Sequence, residues 1–554
     1  MASHLDRLVD DFIAEELAES PVLATVLGVD GHDHELGDFS AEAMVARDRR
    51  AGVWLDRFAG LPDDNLSAEE RIDRDLAVAR LRGRTIMSDW QAWRRDPAVY
   101  LGPCLNGVFT LFVHRLHDEA ELAGAATDRL RLVEQVLAAA ETNLDAELCN
   151  PLILERAVGQ CRAGARYARE LVPAEVDDAG CRATLADAGE AAALAYERFQ
   201  ARLEQLAAHA TGPYAIGEDH YSALLEKREL LGYDAREMRE RGRAAYAALD
   251  EEMGELAERI APGSGWRTVL ERLNADHPDS PESMRAAYEH WTETARRHLV
   301  ENAVVTVPDG EECLVVPSPP FQRPVLAVAS YMAPPAFRPS RRGHFFVPFP
   351  PDGTPEAEVQ KRLETNSFSS IPTIAAHETY PGHHWHLVWM QGRARPLRRL
   401  LRTPYFSEGW ALYAEALMRE HGFFADPRQE LAHLDARIFR AARIVVDTSL
   451  HIGDMDVAGA VEFMRTKASL SEPTARAEVG RYCATPTQAS AYLTGALEIE
   501  RIRAGYLDAG LGDVRSFNDT IAASGALPIA LAERAVMVRR GEGNLPPSGH
   551  PPSD

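Results

Sequence analysis

Three features of the sequence predict a mainly α, large multi-helix protein with a small β-sheet: helical periodicity over the first half, a short β-rich block near 300–350, and a second helical stretch beyond it. Residues 1 to about 300 are rich in Ala, Leu, Glu and Arg, with apolar residues at helical spacing, as over 129–137 and 238–260. Ser67 followed by Glu70, and Asp234 followed by Glu237, are helix-opening signatures. No chemistry is assigned to this half, whose charged residues read as solvated helix faces.

The texture then changes. Val304 to Val307, the turn residues Pro308-Asp309-Gly310, and Cys313 to Val316 predict a hairpin, with further strands expected over 325–331 and 344–348. An edge strand of such a sheet could pair with an extended peptide. After a basic run over 393–402, read as a solvated connector or as an attractor of acidic groups, helices resume through Leu507. A chain of 554 residues is long enough for two lobes. The expected division is an N-terminal helical lobe over 1–300, a catalytic-type lobe over 301–540, and a disordered Gly/Pro/Ser-rich tail over 541–554.

Composition excludes several classes. A formal charge of −25 argues against nucleic-acid binding, which needs clustered positive charge. No apolar run approaches the roughly 18 residues of a membrane span, and no secretion signal is read at the N-terminus. The six cysteines form no C-x-x-C pair, so neither a disulfide framework nor a cysteine metal site is expected, and the expected compartment is the cytoplasm.

The chemistry concentrates in His377-Glu378-Thr379-Tyr380-Pro381-Gly382-His383-His384-Trp385-His386. A histidine-glutamate pair followed by another histidine is how a helix presents zinc with a general base beside it. The usual spacing is four residues, whereas here it is six or seven. On a regular helix His383 would point about 120° away from His377, and His384 would lie about 10 Å further along the axis. The helix must therefore break, and Pro381 and Gly382 supply the break, since proline donates no N–H and glycine accepts unusual backbone angles. Looping out Tyr380-Pro381 makes His383 the second ligand; a three-residue bulge would select His384 instead.

These strings, with Glu408-Gly409-Trp410-Ala411-Leu412-Tyr413-Ala414-Glu415 and Tyr492-Leu493-Thr494-Gly495, resemble the bacterial domain-of-unknown-function family 885 over nearly the whole chain. That family is similar in fold to thermostable zinc carboxypeptidases and thimet-type oligopeptidases. The resemblance implies a two-lobed helical protein with a deep cleft and one zinc ion per chain, although imidazole and carboxylate ligands would also hold other divalent metals. In the glutamate-ligand class of zinc peptidases the third ligand would be Glu408. Glu415, two helical turns on, is the rival ligand or a partner to a ligating histidine.

Glu378, next to a ligand, is the expected general base. By position, Tyr492 is the expected oxyanion donor with Tyr482 behind it, and Gly495 leaves room for close approach. Arg503 and Arg501 are candidates for holding a terminal carboxylate, and His384 or His386 for orienting substrate. Arg443, Asp447 and His451 stand at i, i+4 and i+8, the first two as a helix ion pair. The expected activity is hydrolysis of short peptides in a narrow cleft, carboxypeptidase-like. The alternatives are an amidase or esterase for a non-peptide metabolite and a catalytically inactive peptide-binding protein.

Overall fold

Helix boundaries fall where side chains can satisfy free backbone N–H groups. Ser67 accepts from the Glu70 N–H while the Glu70 carboxylate accepts from the Ser67 N–H, opening helix Ala68–Ser88. Asp234 caps helix Ala235–Ile260 by accepting from the Glu237 N–H. In this computed structural model the described residues are 3–319, 323, 328–351, 353–468 and 470–539. The tail 541–554 and the part of the expected strand 325–331 that precedes residue 328 lie outside them. Among the described residues the protein is mainly helical, and no helix is long and apolar enough to cross a membrane.

Among the described residues the sheet has three strands, β1 (Glu312–Pro317), β2 (Ser330–Met332) and β3 (Arg342–Val347), in the order β1-β3-β2. β1 runs parallel to β3 with Glu312 opposite Arg342, and β2 runs antiparallel to β3. The hairpin expected from residues 304–316 does not form. Val304 N–H closes the end of the preceding helix on Leu299 O, Asn518 donates to Val304 O, and Thr306 N–H binds the Asp519 carboxylate. The backbone groups that would have paired with 313–316 are thus engaged by other elements, and β3 takes their place. Tyr288, Val315, Phe345 and Val347 pack with Ile371 and Ala375 in a small core of their own. The sheet thereby supports the helix that carries His377.

Two larger cores divide the chain, and not at residue 300. Helices Ala98–His114, Glu119–Asn143, Pro151–Arg166 and Ala179–Ala207 enclose one, around Tyr100, Leu130, Cys161, Tyr196 and Phe199. The other gathers Leu5, Phe12 and Leu76 from the N-terminus, Met238 and Met253 from the middle, and Trp385, Trp410 and Ile499 from the C-terminal half. Helices on both sides of residue 300 share this core because their apolar stripes face one another, whatever their order in the chain.

The basic run 393–402 is a clamp rather than a solvated connector. Arg398, fully buried, donates to the Asp73 carboxylate at 2.6 Å and pairs with Glu69 at 2.7 Å, and Arg395 pairs with both Asp73 and Asp6. A buried charge left without its partner costs about 3–5 kcal/mol, so this cluster ties the N-terminal helices firmly to the C-terminal half.

Helix Pro404–Glu420, which carries Glu408 and Glu415, crosses helix Ala491–Asp508 at Gly409 and Gly495. A methyl group on Gly495 would lie 1.8 Å from the Tyr405 carbonyl oxygen. The close approach expected at Gly495 is therefore between two helices. Gly495→Ala is expected to lower stability by about 1–3 kcal/mol through overpacking, read as a lowered midpoint in thermal or urea unfolding.

Candidate metal centre

Helix Ile371–Glu378 ends at the motif and helix His383–Gln391 begins after four intervening residues. Between them Gly382 N–H returns to Ala376 O at 3.1 Å, and Trp385 N–H bonds to Thr379 O at 3.1 Å. A side chain at Gly382 has no space, because a Cβ there would lie 1.8 Å from the His377 carbonyl oxygen. Trp410 donates its indole N–H to Pro381 O at 2.8 Å and stacks on Trp385 with ring centres 5.4 Å apart. The Glu408 helix thus holds the interruption in place.

The interruption brings the His377 and His383 rings to 4.9 Å between centres, nearly perpendicular. Their Nε2 atoms lie 3.9 and 3.4 Å from one Glu408 oxygen, and one ligand atom from each of the three residues lies within 4.8 Å of the others. Donors about 2.0–2.2 Å from a tetrahedral ion are separated by roughly 3.3–3.6 Å, so the trio would hold a divalent cation after closing by at most about 1–1.5 Å. Two imidazoles and one carboxylate would leave a fourth position open.

Glu415 is turned to His377, not to the ligand cluster. Its Oε1 accepts from His377 Nδ1 at 2.6 Å, which leaves Nε2 with its lone pair toward Glu408, and its other oxygen lies 3.4 Å from His433. Burial pushes the Glu415 pKa up, but the bonds from His377 and His433 outweigh it and hold the carboxyl well below its usual range. Burial likewise opposes ionisation of Glu408, yet the neighbouring His383 and His377 bring it down to about 2. Glu378 shifts the other way: burial raises it, and the charges of His377 and His383 only partly pull it back.

His384 points elsewhere. It is fully buried, with Nε2 2.8 Å from Glu311 and Nδ1 2.9 Å from the Tyr331 hydroxyl, so it is available neither as a ligand nor to substrate. Glu311 also accepts from Arg296 at 2.7 Å and from the Tyr380 hydroxyl. His386 is buried against Phe406 and Trp410 with no described hydrogen bond on either nitrogen, and burial first, then His383 and Arg402, bring it down to about 3.

Of the expected tyrosines, Tyr492 is partly exposed beside the site, its acidity reduced by burial and then by the charge of Glu408. Tyr482 is buried behind it, donating to Glu478 at 2.6 Å and accepting from Arg443 Nε at 3.2 Å. Arg443 lies against the Tyr492 ring and pairs with Glu478, so the expected Arg443–Asp447 pair does not form. Asp447 instead accepts from Tyr221, and His451 stacks on Tyr221 and bonds Tyr482 O, remote from the trio's ligand atoms. Arg503 is engaged by Glu420 and Tyr413, and Arg501 by Glu498 and Glu533, so neither arginine is free to hold a carboxylate. A cavity of about 310 Å³ among Glu15, Trp54, Arg84 and Trp93 shares no residue with the trio.

Sequence reasoning missed Glu311, His433 and Arg440, which surround the site. Glu311 sits in a stretch read as a hairpin turn, and the other two are single polar residues in a long helix, so no local pattern marks them.

Burial works against ionisation of Glu311, but His384, Tyr380 and Arg296 win and bring it from 4.5 to about 2. A carboxyl lowered on folding stabilises the protein above its unfolded value and loses that contribution as pH falls toward the folded one. Wild-type stability is therefore expected to drop between pH 4.5 and about 2 more steeply than that of Glu311→Gln, measured by urea unfolding at stepped pH.

Comparison with known proteins yields fold and family. No curated protein matches the chain. Two solved structures match throughout, each described as a "putative lipoprotein": one of unknown function from Shewanella oneidensis and one from Colwellia psychrerythraea. The first is 18% identical with a TM-score of 0.77, covering 97% of this chain and 100% of the other; the second is 18% identical with a TM-score of 0.82, covering 98% and 100%. At that identity they share its fold. The family described as bacterial protein of unknown function (DUF885) matches residues 21–536, and the chain belongs to it.

Proposed function

We propose that this protein is a zinc-dependent metallopeptidase acting on short peptides, carboxypeptidase-like in mode. The observation that carries the reading is the convergence of His377, His383 and Glu408 within ligand distance of one another, with Glu378 directly following the first ligand. The similarity in fold expected between the family that the motif strings resemble and the thermostable zinc carboxypeptidases and thimet-type oligopeptidases points the same way. A cytoplasmic setting fits the six unpaired cysteines.

The residues have separable tasks. His377, His383 and Glu408 would hold the ion, and Glu415 fixes the tautomer and orientation of His377. Zinc held there supplies Lewis acidity, which makes water a competent nucleophile near neutral pH. Glu378 takes the proton from water as its oxygen attacks the carbonyl carbon, then returns it to the nitrogen as the C–N bond breaks. Burial, by raising Glu378, moves it toward the range where both transfers are feasible. Tyr492 is the donor for the oxyanion, its phenol kept protonated by burial and by Glu408.

Elemental analysis of protein purified without chelator should find about one zinc per chain, and His377→Ala should carry none. Glu378→Gln should retain the metal and lose peptide hydrolysis by about 100-fold or more. Metal-free wild type with undiminished hydrolysis would overturn the reading. Glu415→Gln should weaken zinc affinity by about 10–100-fold in a competition titration with a chromophoric chelator.

A further inference from the structure

Most arginines around the site are neutralised. Arg443 pairs with Glu478, Arg437 with Glu500 at 2.7 Å, and Arg481 with Glu478 at 2.9 Å. Arg440, on the same helix Pro427–Ile452, differs. Among the described residues it has no carboxylate within ion-pair distance. Its polar contact is Nη1 to Ala436 O, a carbonyl of its own helix, and its Nε is buried without a partner. A guanidinium has five N–H donors, so most of this one's capacity is unused.

Its position is beside the chemistry. Helix Pro427–Ile452 packs on helix Ile371–Glu378, and the Arg440 charge acts on Glu378, Glu415 and Asp435. Arg440 is partly exposed, as are Glu378, His383 and Glu408, whereas their helices are otherwise largely buried. A partly desolvated guanidinium with open donors gains most from a carboxylate, which it meets with two parallel hydrogen bonds.

We infer that Arg440 holds a carboxylate of the substrate next to the bond being hydrolysed, so that the preferred substrates are acids rather than their amides. This rests on the metallopeptidase reading and assigns to Arg440 the task expected of Arg501 and Arg503. The carboxylate is either the peptide's own terminus or an acidic side chain.

The test measures calorimetric binding of N-acetyl-Ala-Ala, N-acetyl-Ala-Ala-amide and N-acetyl-Ala-Glu-amide to the full chain, in a Glu378→Gln background where hydrolysis does not consume the probe. Arg440→Gln and Arg440→Lys are made in the same background, with metal content equal to the parent as the check on folding. The expected result is that N-acetyl-Ala-Ala binds about tenfold or more tighter than its amide, that Arg440→Gln removes the preference, and that Arg440→Lys restores part of it. Tight binding of N-acetyl-Ala-Glu-amide as well would identify a side-chain carboxylate as the source. Equal binding of all three probes, no binding of any probe, or a preference that survives Arg440→Gln would overturn the inference. Absence of peptide turnover by zinc-loaded wild type, alongside an Arg440-dependent acid preference, would sink the hydrolase reading and leave the carboxylate site standing.

Discussion

The site depends on one steric constraint, the contact between Gly382 and the carbonyl oxygen of His377. An uninterrupted helix would send His377 and His383 to different faces. Breaking it with a residue that lacks both a side chain and a conformational preference lets the chain double back within four residues. The Ala376 and Thr379 carbonyls accept the Gly382 and Trp385 N–H groups, so backbone bonds span the interruption. Any side chain at position 382 would push the two histidines apart.

The same constraint propagates through packing. Trp410 grips the carbonyl of Pro381 and stacks on Trp385, so the helix bearing Glu408 is registered against the interruption itself. One residue before Trp410, Gly409 presses that helix on Gly495. The string from Glu408 to Glu415 therefore serves several purposes at once. It supplies a carboxylate to the trio, a contact that admits only glycine, a clamp on the break, a hydroxyl for Asn518 through Tyr413, and a partner for His377.

Electrostatics divides the carboxylates by partner. Glu311, Glu408 and Glu415 are each desolvated, and each is kept ionised by histidines, arginine or tyrosine aimed at it. Glu378 is desolvated and has no hydrogen-bond partner among the described residues, so it moves toward neutrality. Four buried or half-buried carboxylates close together thus acquire different protonation behaviour, and the one left unbonded is suited to carry a proton.

Much of this was legible in the chain. Helical spacing and caps such as Ser67 with Glu70 depend on residues within a turn of each other, so local reading finds them. The break at Pro381-Gly382 follows from covalent geometry in the same way, whereas His383 and His384 are equal candidates in the sequence and only the packing of His384 on Glu311 separates them. The hairpin at 304–316 was misread because Val304 and Thr306 bond to Asn518 and Asp519, two hundred residues away. Sequence alone determined the helical class, the position of the interruption and the residues able to ligate a metal, since these rest on interactions a few residues long. Tertiary structure alone decided that Glu415 braces His377, that His384 turns to Glu311 and Tyr331, that Arg501 and Arg503 are already paired, and that Arg440 is not. Which charges meet in a folded chain is set by helix packing across the whole molecule, and spacing along the sequence carries no record of it.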